Sequence, residues 1–197
     1  MMIVPGSAFF LKAASDPYWA NVVLLMNGHE FEDDSSYNTT ITNNSATIDN
    51  DYFVGDNNGF FETASHTSNF TLFSGDFTIE FELYRTHATA VGAIMGKLRD
   101  NSGNPLGFGA WLISMSAGTS IIFQAANSSV IDQSQPPHGQ WNHLAFSFTK
   151  SDLKLRYYLN GSHVVTADIL SGWEDTESPI GIMAEDAWGG PPRLGYG

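Results

Sequence analysis

Two segments of this sequence alternate apolar and polar residues with a period of two. From Phe77 to Leu83 every second residue is apolar, and the residues between them are Thr or Glu. The segment from Trp141 to Thr149 repeats the pattern, with Leu144, Phe146 and Phe148 on one face. Successive side chains of a strand point to opposite faces, whereas a helix repeats about every 3.6 residues. Each segment is therefore predicted to be a strand with one buried and one solvent-facing side.

Turn-forming residues divide the rest of the chain into further short segments. Asn160-Gly161 is a strong hairpin signal, because both residues can adopt the positive φ that a tight turn requires. The polar stretch from Asn127 to Gly139 contains Pro136-Pro137 and is predicted to be a loop. Further strands are predicted over Val22 to Met26, Thr39 to Thr42, Thr47 to Val54, Val91 to Met95, Gly107 to Met115, Ser120 to Ala125, Leu153 to Leu159, His163 to Ile169 and Ile180 to Ala184. Many short strands without helical periodicity predict an all-β fold, a two-sheet antiparallel jelly-roll sandwich.

Composition limits the classes of partner. The chain has 8 basic and 21 acidic residues, a net charge of −13. Such a surface repels phosphate backbones and anionic lipid headgroups, which argues against nucleic-acid and membrane partners. The sequence has no cysteine, which excludes disulfides and thiolate metal sites. Its 197 residues suit one large sandwich with a sizeable core.

The N-terminal residues are predicted to form an arm rather than a signal peptide. The stretch from Met1 to Leu11 is apolar, but no positive charge precedes it and Pro5-Gly6 interrupts it. We therefore expect residues 1–18 to be an arm that packs on this chain or on a neighbour, and residues 19–197 to be the jelly-roll domain. Deleting Met1 to Ser15 is expected to leave that domain folded.

Four segments, in order, resemble the laminin-G-like jelly rolls of the concanavalin A-like fold. They run from Gly75 to Leu83, Gly92 to Lys97, Gly139 to Phe146 and Leu155 to Gly161. The resemblance covers roughly residues 22–184. It implies the two-sheet sandwich predicted above and a domain that binds a ligand through its surface.

The opening of the domain is similar to the start of such domains in bacteriophage virion proteins. The segment Asp16-Pro17-Tyr18-Trp19 leads there into Val22 to Leu25. The resemblance implies a non-enzymatic protein of the particle surface: a capsid decoration protein, head fibre or tail adhesin. Its expected partners are other virion proteins, bound through the arm, further copies of itself and a surface glycan. The alternative is a calcium-dependent carbohydrate-binding lectin domain of a secreted or cell-surface protein.

Catalysis is not expected. Glucanases of this fold carry a Glu-x-Asp-x-x-Glu pattern on one strand, which places the catalytic carboxylates on the same face. Glu80 and Glu82 share a face, but no acidic residue lies between them and no third one follows. They are interpreted as a solvated outer face, and a glycoside hydrolase is the weakest of the three hypotheses.

Calcium is the one cofactor that the acidic residues could hold, because calcium prefers oxygen ligands. The densest cluster is Glu30, Glu32, Asp33 and Asp34, followed by Asp49 with Asp51 and Glu174 with Asp175. None forms a calcium-loop pattern, so no metal site is assigned.

Histidine is not expected to bind metal either. The six histidines form no His-x-x-x-His pair. His143 is interpreted as structural.

Loop tryptophans are the candidate sugar-binding residues, because aromatic rings stack on sugars while neighbouring carboxylates bind hydroxyl groups. Trp173 with Asp175, and Trp188 with Asp186, lie in predicted loops. Trp111 and Trp141 fall in predicted strands and are assigned to the core.

Overall fold

The computed structural model describes residues 2–4, 21–28, 30–49, 52–54, 59–64, 72–85, 92–97, 111–115, 120–125, 128–169 and 179–182. Every element named among them is a β-strand. They are β1 (Met2–Val4), β2 (Ile41–Asn44), β3 (Thr47–Asp49), β4 (Tyr52–Val54), β5 (Phe60–Thr63), β6 (Phe77–Tyr84), β7 (Gly92–Lys97), β8 (Trp111–Met115), β9 (Ser120–Ala125), β10 (Ser128–Ser134), β11 (Trp141–Thr149), β12 (Lys154–Leu159), β13 (Ser162–Asp168) and β14 (Gly181–Ile182).

The strands form two antiparallel sheets. Sheet A has the order β13-β12-β11-β6-β1-β4-β3, and sheet B has the order β10-β9-β8-β7-β14-β5-β2. The predicted all-β fold of two antiparallel sheets is confirmed. In the part of the chain that the structure describes, no helix is both long and apolar enough to cross a membrane.

The period-two segments lie at the centre of sheet A. Strand β11 alternates half-buried and buried residues along its whole length, and its partner β6 runs antiparallel to it from Trp141↔Tyr84 to Phe148↔Phe77. Side chains with even numbers in β11 enter the core, and those with odd numbers face outward. Because this parity is fixed by the pleat, it also fixes which residues sheet A presents to solvent.

Aromatic rings connect the two sheets through the core. Trp111 of β8 stacks near Phe123 of β9, with ring centroids 6.4 Å apart. Phe123 contacts Phe146 of β11 at 5.5 Å, and Phe146 stacks on Tyr157 of β12 at 4.9 Å. These rings are all almost fully buried, so the sandwich is closed by aromatic packing between sheets.

The predicted hairpin between β12 and β13 is confirmed. Asn160 has a φ of 50° and Gly161 a φ of 76°, as a turn of two left-handed residues requires. The turn is also held from the side, since the Asn160 side-chain oxygen accepts a hydrogen bond from the backbone N–H of His143 at 2.9 Å.

Three strand predictions are wrong. The segment from Thr47 to Val54, predicted as one strand, contains two strands, β3 and β4, that pair antiparallel from Thr47↔Val54 to Asp49↔Tyr52. Residues 22–27 form no strand, although Met26 is buried, because their backbone bonds to the 33–34 segment: Asp34 N–H donates to the Leu25 carbonyl at 2.8 Å. Conversely, β10 (Ser128–Ser134) lies within the predicted loop from Asn127 to Gly139. This strand is at the edge of sheet B, where polar side chains can face solvent.

Part of the predicted N-terminal arm lies inside a sheet. Strand β1 pairs with β6 through Met2↔Tyr84 to Val4↔Glu82, and with β4 through Met2↔Val54 and Ile3↔Phe53. Residues 5–20 lie outside the described residues, so the boundary after residue 18 stays a prediction.

Candidate functional site

The four sugar-binding candidates named from the sequence are not located by the structure. Trp173, Asp175, Asp186 and Trp188 all lie outside the described residues. Their role stays a prediction.

Sheet A presents a continuous face of polar and aromatic side chains to solvent. Its rows follow the register: Trp141 lies opposite Tyr84, His143 opposite Glu82, and Ala145 between Glu80 and Tyr158. Each of these residues alternates with a core residue, which places it on the outer side of the sheet. We call the following residues the outer-face cluster: Glu80, Glu82, Tyr84, Trp141, His143 and Tyr158.

Two aromatic contacts lie at opposite corners of the cluster. The rings of Tyr84 and Trp141 are tilted by 60° with centroids 5.4 Å apart. Tyr158 meets His163 of β13 edge-on, at 5.5 Å. Trp141 is four positions along β11 from Ala145, the cross-strand partner of Tyr158, which corresponds to about 14 Å. The face therefore carries two ring platforms separated by a strip of polar groups.

The polar strip is dominated by carboxylates. Glu80 lies 3.5 Å from the His143 imidazole, across a diagonal of the β6–β11 pair. The Glu80 side chain is 62% exposed and the His143 side chain 40% exposed. Both can therefore exchange their water for a ligand. Ala145, which lies opposite Glu80, adds only a methyl group to this face.

Basic residues on the neighbouring strands already have carboxylate partners. Arg156 donates to the Asp152 carboxylate and to the Thr149 hydroxyl, and Lys154 pairs with Asp168. The hydrogen bond from Arg156 holds the pKa of Asp152 below its ordinary value. These cations are engaged within the face, so Glu80 and Glu82 leave its centre negative.

A buried amide network supports the end of the face that carries Trp141. Asn142, 1% exposed, donates to the carbonyl oxygens of Pro137 at 2.8 Å and Gln140 at 3.0 Å. Its side-chain oxygen accepts from Asn160 at 3.3 Å. Asn142 therefore connects β11, the preceding loop and the β12–β13 turn, and this network fixes the backbone on both sides of Trp141.

Arg85 binds the same loop from a buried position at the end of β6. It is 3% exposed, and its guanidinium donates to the Pro136 carbonyl and the Gln135 side chain. The Arg85 carbonyl accepts from the Gly139 N–H at 2.9 Å. Because Arg85 directly follows Tyr84, these contacts position the aromatic pair relative to the loop.

In the acidic segment at residues 30–34, Asp33 has a structural role. Asp33 is 4% exposed, and its two oxygens accept hydrogen bonds from the N–H groups of Leu25, Ser35 and Thr39 and from the Ser35 hydroxyl, at 2.7–2.9 Å. Burial raises the pKa of Asp33, but these hydrogen bonds outweigh it, and the pKa is lowered overall. Asp33 is thus saturated by protein donors. In the described part of the chain, no group of three or more His, Asp or Glu side chains could hold a metal ion.

The sequence contained the signal for the outer-face cluster. The alternation that places Leu144, Phe146 and Phe148 in the core also places Trp141 and His143 on the opposite face. The assignment of Trp111 to the core is confirmed, at 1% exposure. The assignment of Trp141 to the core is wrong, because it lies half-buried on the outer side beside Tyr84.

Comparison with known families gives one match that covers most of the chain. The family model Laminin_G_3, described as the concanavalin A-like lectin/glucanases superfamily, matches residues 55–196. No curated protein matches the chain.

Solved structures with a similar fold include receptor-binding parts of toxins. The binding domain of botulinum neurotoxin DC in complex with SialylT is 14% identical, with a TM-score of 0.55 over 77% of this chain and 40% of that one. A structure of botulinum neurotoxin type C, described as interacting with two ganglioside molecules, is 15% identical, with a TM-score of 0.58 over 83% of this chain and 40% of that one. The chain thus spans about two fifths of the length of these structures. The carbohydrate-binding module CBM66 from Bacillus subtilis is 16% identical, with a TM-score of 0.47 over 73% of this chain and 88% of that one.

Proposed function

Since the chain belongs to the concanavalin A-like lectin/glucanases superfamily, we propose that it is a non-enzymatic carbohydrate-binding domain whose binding surface is the outer-face cluster. The observation that carries the proposal is the combination on one open sheet face of the Tyr84–Trp141 ring pair, Tyr158, and the Glu80–His143 pair between them. The toxin domains of similar fold, described with gangliosides and SialylT, support the same class of ligand.

The chemistry of the cluster suits sugars. A sugar ring offers an apolar face of C–H groups and an edge of hydroxyl groups, so a site needs ring platforms and hydrogen-bond acceptors side by side. Trp141, Tyr84 and Tyr158 supply the platforms, and the carboxylates of Glu80 and Glu82 accept from hydroxyl groups. The strands hold these side chains on a rigid sheet, which reduces the entropy lost on binding.

The open face favours binding over hydrolysis. A glycosidase acid is held in an apolar pocket that keeps it protonated, and its partner carboxylate works in a site that controls water. Glu80, at 62% exposure, lies in the open on the sheet. We therefore expect no sugar release, and reducing-sugar release that disappears in Glu80→Gln would contradict this part of the proposal.

The first experiment is a glycan array with the purified chain, followed by affinity measurements on the best ligand. Trp141→Ala and Tyr158→Ala are each expected to weaken binding roughly tenfold, because each removes a stacking platform. Tyr37→Ala is the matched control, since Tyr37 is 43% exposed but lies on the 35–38 turn, outside the cluster. Unchanged binding in the Trp141 and Tyr158 variants, with loss in Trp173→Ala or Trp188→Ala, would move the site to the loop tryptophans.

We further propose that the domain is displayed in many copies on the surface of a bacteriophage particle, attached to other virion proteins. The support is the similarity of residues 16–25 to the start of virion domains and the acidic, nucleic-acid-repelling composition. Repeated weak sugar contacts on one particle would combine through effective concentration. Antibodies against the chain are expected to label intact particles. Binding that requires added calcium, with no particle labelling, would favour the secreted lectin instead.

A further inference from the structure

The charge and ring geometry of the outer-face cluster narrow the class of sugar that it takes. The cluster holds two carboxylates, Glu80 and Glu82, and one histidine, which carries at most one positive charge. Arg156 and Lys154, the basic residues of β12, are engaged by Asp152 and Asp168. The centre of the face is therefore negative, and the chain as a whole carries −13. A sialylated or otherwise acidic glycan would approach against this charge.

The ring pair adds a second feature that favours a cation. Tyr84 and Trp141 are tilted by 60° at 5.4 Å, and the next row of the face, about 7 Å along the strands, holds Glu82 and His143. Two inclined aromatic faces beside a carboxylate combine cation–π attraction with a charge-assisted hydrogen bond. An ammonium group on a sugar can make both interactions. A hydroxyl or N-acetyl group has no positive charge, so it can only donate a hydrogen bond to the carboxylate.

We propose that the outer-face cluster selects glycans with free amino groups, with the ammonium group held between the Tyr84–Trp141 pair and the Glu80 and Glu82 carboxylates. This inference rests on the proposed carbohydrate-binding function of the same face. The proposed ligand is positively charged, whereas a sialylated glycan is negatively charged.

The test compares glycans that differ only in charge. The probes are a glucosamine oligomer and its fully N-acetylated counterpart, together with lactose and sialyllactose, measured by calorimetry with the full chain at low ionic strength. The glucosamine oligomer is expected to bind about tenfold more tightly than the acetylated one, and sialyllactose more weakly than lactose. Added salt is expected to reduce the first difference, because it screens exposed charges.

Two variants and a control identify the groups responsible. Glu80→Gln and Glu82→Gln are each expected to weaken binding of the amino oligomer more than binding of the acetylated oligomer, because the amide oxygen can still accept from hydroxyl groups but carries no charge. Asp132→Asn removes the same charge from an exposed residue of β10 in the other sheet, so it should keep the preference. Thermal unfolding of each variant confirms that it is folded.

The outcomes separate the two proposals. Equal binding of the amino and acetylated oligomers, a preference for sialyllactose, or a preference that Asp132→Asn removes as fully as Glu82→Gln would overturn the charge inference and leave the carbohydrate-binding function standing. Absence of binding to all four probes and to the glycan array would overturn the function, and the inference with it.

Discussion

At the scale of single residues, the side chains that matter most for this fold are polar groups in buried positions. Asn142 and Asp33 each satisfy several backbone groups that no strand reaches, and each is almost fully buried. A buried polar group contributes favourably only when it is fully hydrogen-bonded, so such residues define one loop conformation and penalise the others.

Replacing Asp33 by Asn is expected to destabilise the chain by roughly 2–4 kcal/mol, because the amide nitrogen cannot accept the hydrogen bonds that the carboxylate oxygen receives. Because the pKa of Asp33 is lowered in the folded state, its stabilisation is fully present above the ordinary value of 3.8 and is lost as the pH falls through the folded value. The difference between wild type and Asp33→Asn should therefore shrink in acid.

Chemical denaturation at pH 7 and at about pH 3 measures this difference. Asp34→Asn is the control, since its exposed side chain can keep its oxygen contact with Asn27, whose amide lies 2.6 Å from the Asp34 carboxylate. A constant difference at both pH values would mean that the Asp33 charge does not contribute.

Trp141 shows how far single residues of the site could be predicted. From the sequence, Glu80 and Glu82 are interpreted as an outer face, but Trp141 is assigned to the core, although the alternation along Trp141 to Thr149 places Trp141 on the side opposite Leu144, Phe146 and Phe148. The pairing partners do not follow from the pattern: nothing in the sequence says that Trp141 lies opposite Tyr84, because register between distant strands is set by the whole sheet.

At the scale of elements, a strand was predictable where its own residues carry an apolar pattern beside a turn signal, as in edge strand β13, and not where its residues are polar or few, as in β10 and β1. Strands β9 and β11 have the predicted bounds because their core faces are apolar except for Asn142 at the start of β11. Strand β10 at the edge of sheet B contains Ser, Asp and Gln, which favour loops by propensity, and it becomes a strand only because β9 offers it hydrogen bonds. Residues 22–27 show the opposite error. Their apolar side chains predict a strand, but they pack on the core from a segment that forms no strand.

Turns are the second class of element that the sequence predicts well, and Gly161 tests the reason. Gly161 has a φ of 76°, and a Cβ atom there would meet nothing within 4 Å, so Gly161→Ala adds backbone strain without a clash. We expect it to destabilise the chain by about 1–2 kcal/mol. Gly75→Ala is a matched control, because a Cβ atom at Gly75 also meets open space but its φ is not left-handed.

Thermal unfolding of the two glycine variants checks the prediction. The Gly75 variant is expected to be neutral or stabilised by up to about 1 kcal/mol, because alanine reduces the entropy of the unfolded chain. Equal effects at both positions would show that the φ of the turn is not the cause.

At the scale of the whole molecule, the N-terminal strand is the feature that the sequence did not predict. Residues 2–4 lie between β6 and β4 in sheet A, so they connect the β3–β4 hairpin to the strands that carry the outer-face cluster. A three-residue strand 48 or more residues away from its partners leaves no local pattern, because the pairing is entirely long-range.

This placement makes the N-terminal residues part of the sandwich, and their removal is the test. Deleting residues 1–4 removes the pairing of β1 with both neighbours and leaves β4 without its link to β6. At about 1 kcal/mol for each lost hydrogen bond, the deletion should lower Tm by roughly 5–10 °C. A synthetic peptide of residues 1–12 added to the truncated chain should restore part of the loss by strand addition, whereas a scrambled peptide should not. An unchanged Tm would instead support the detachable arm expected from the sequence, and the outer-face cluster would then depend on β6, β11 and β12 alone.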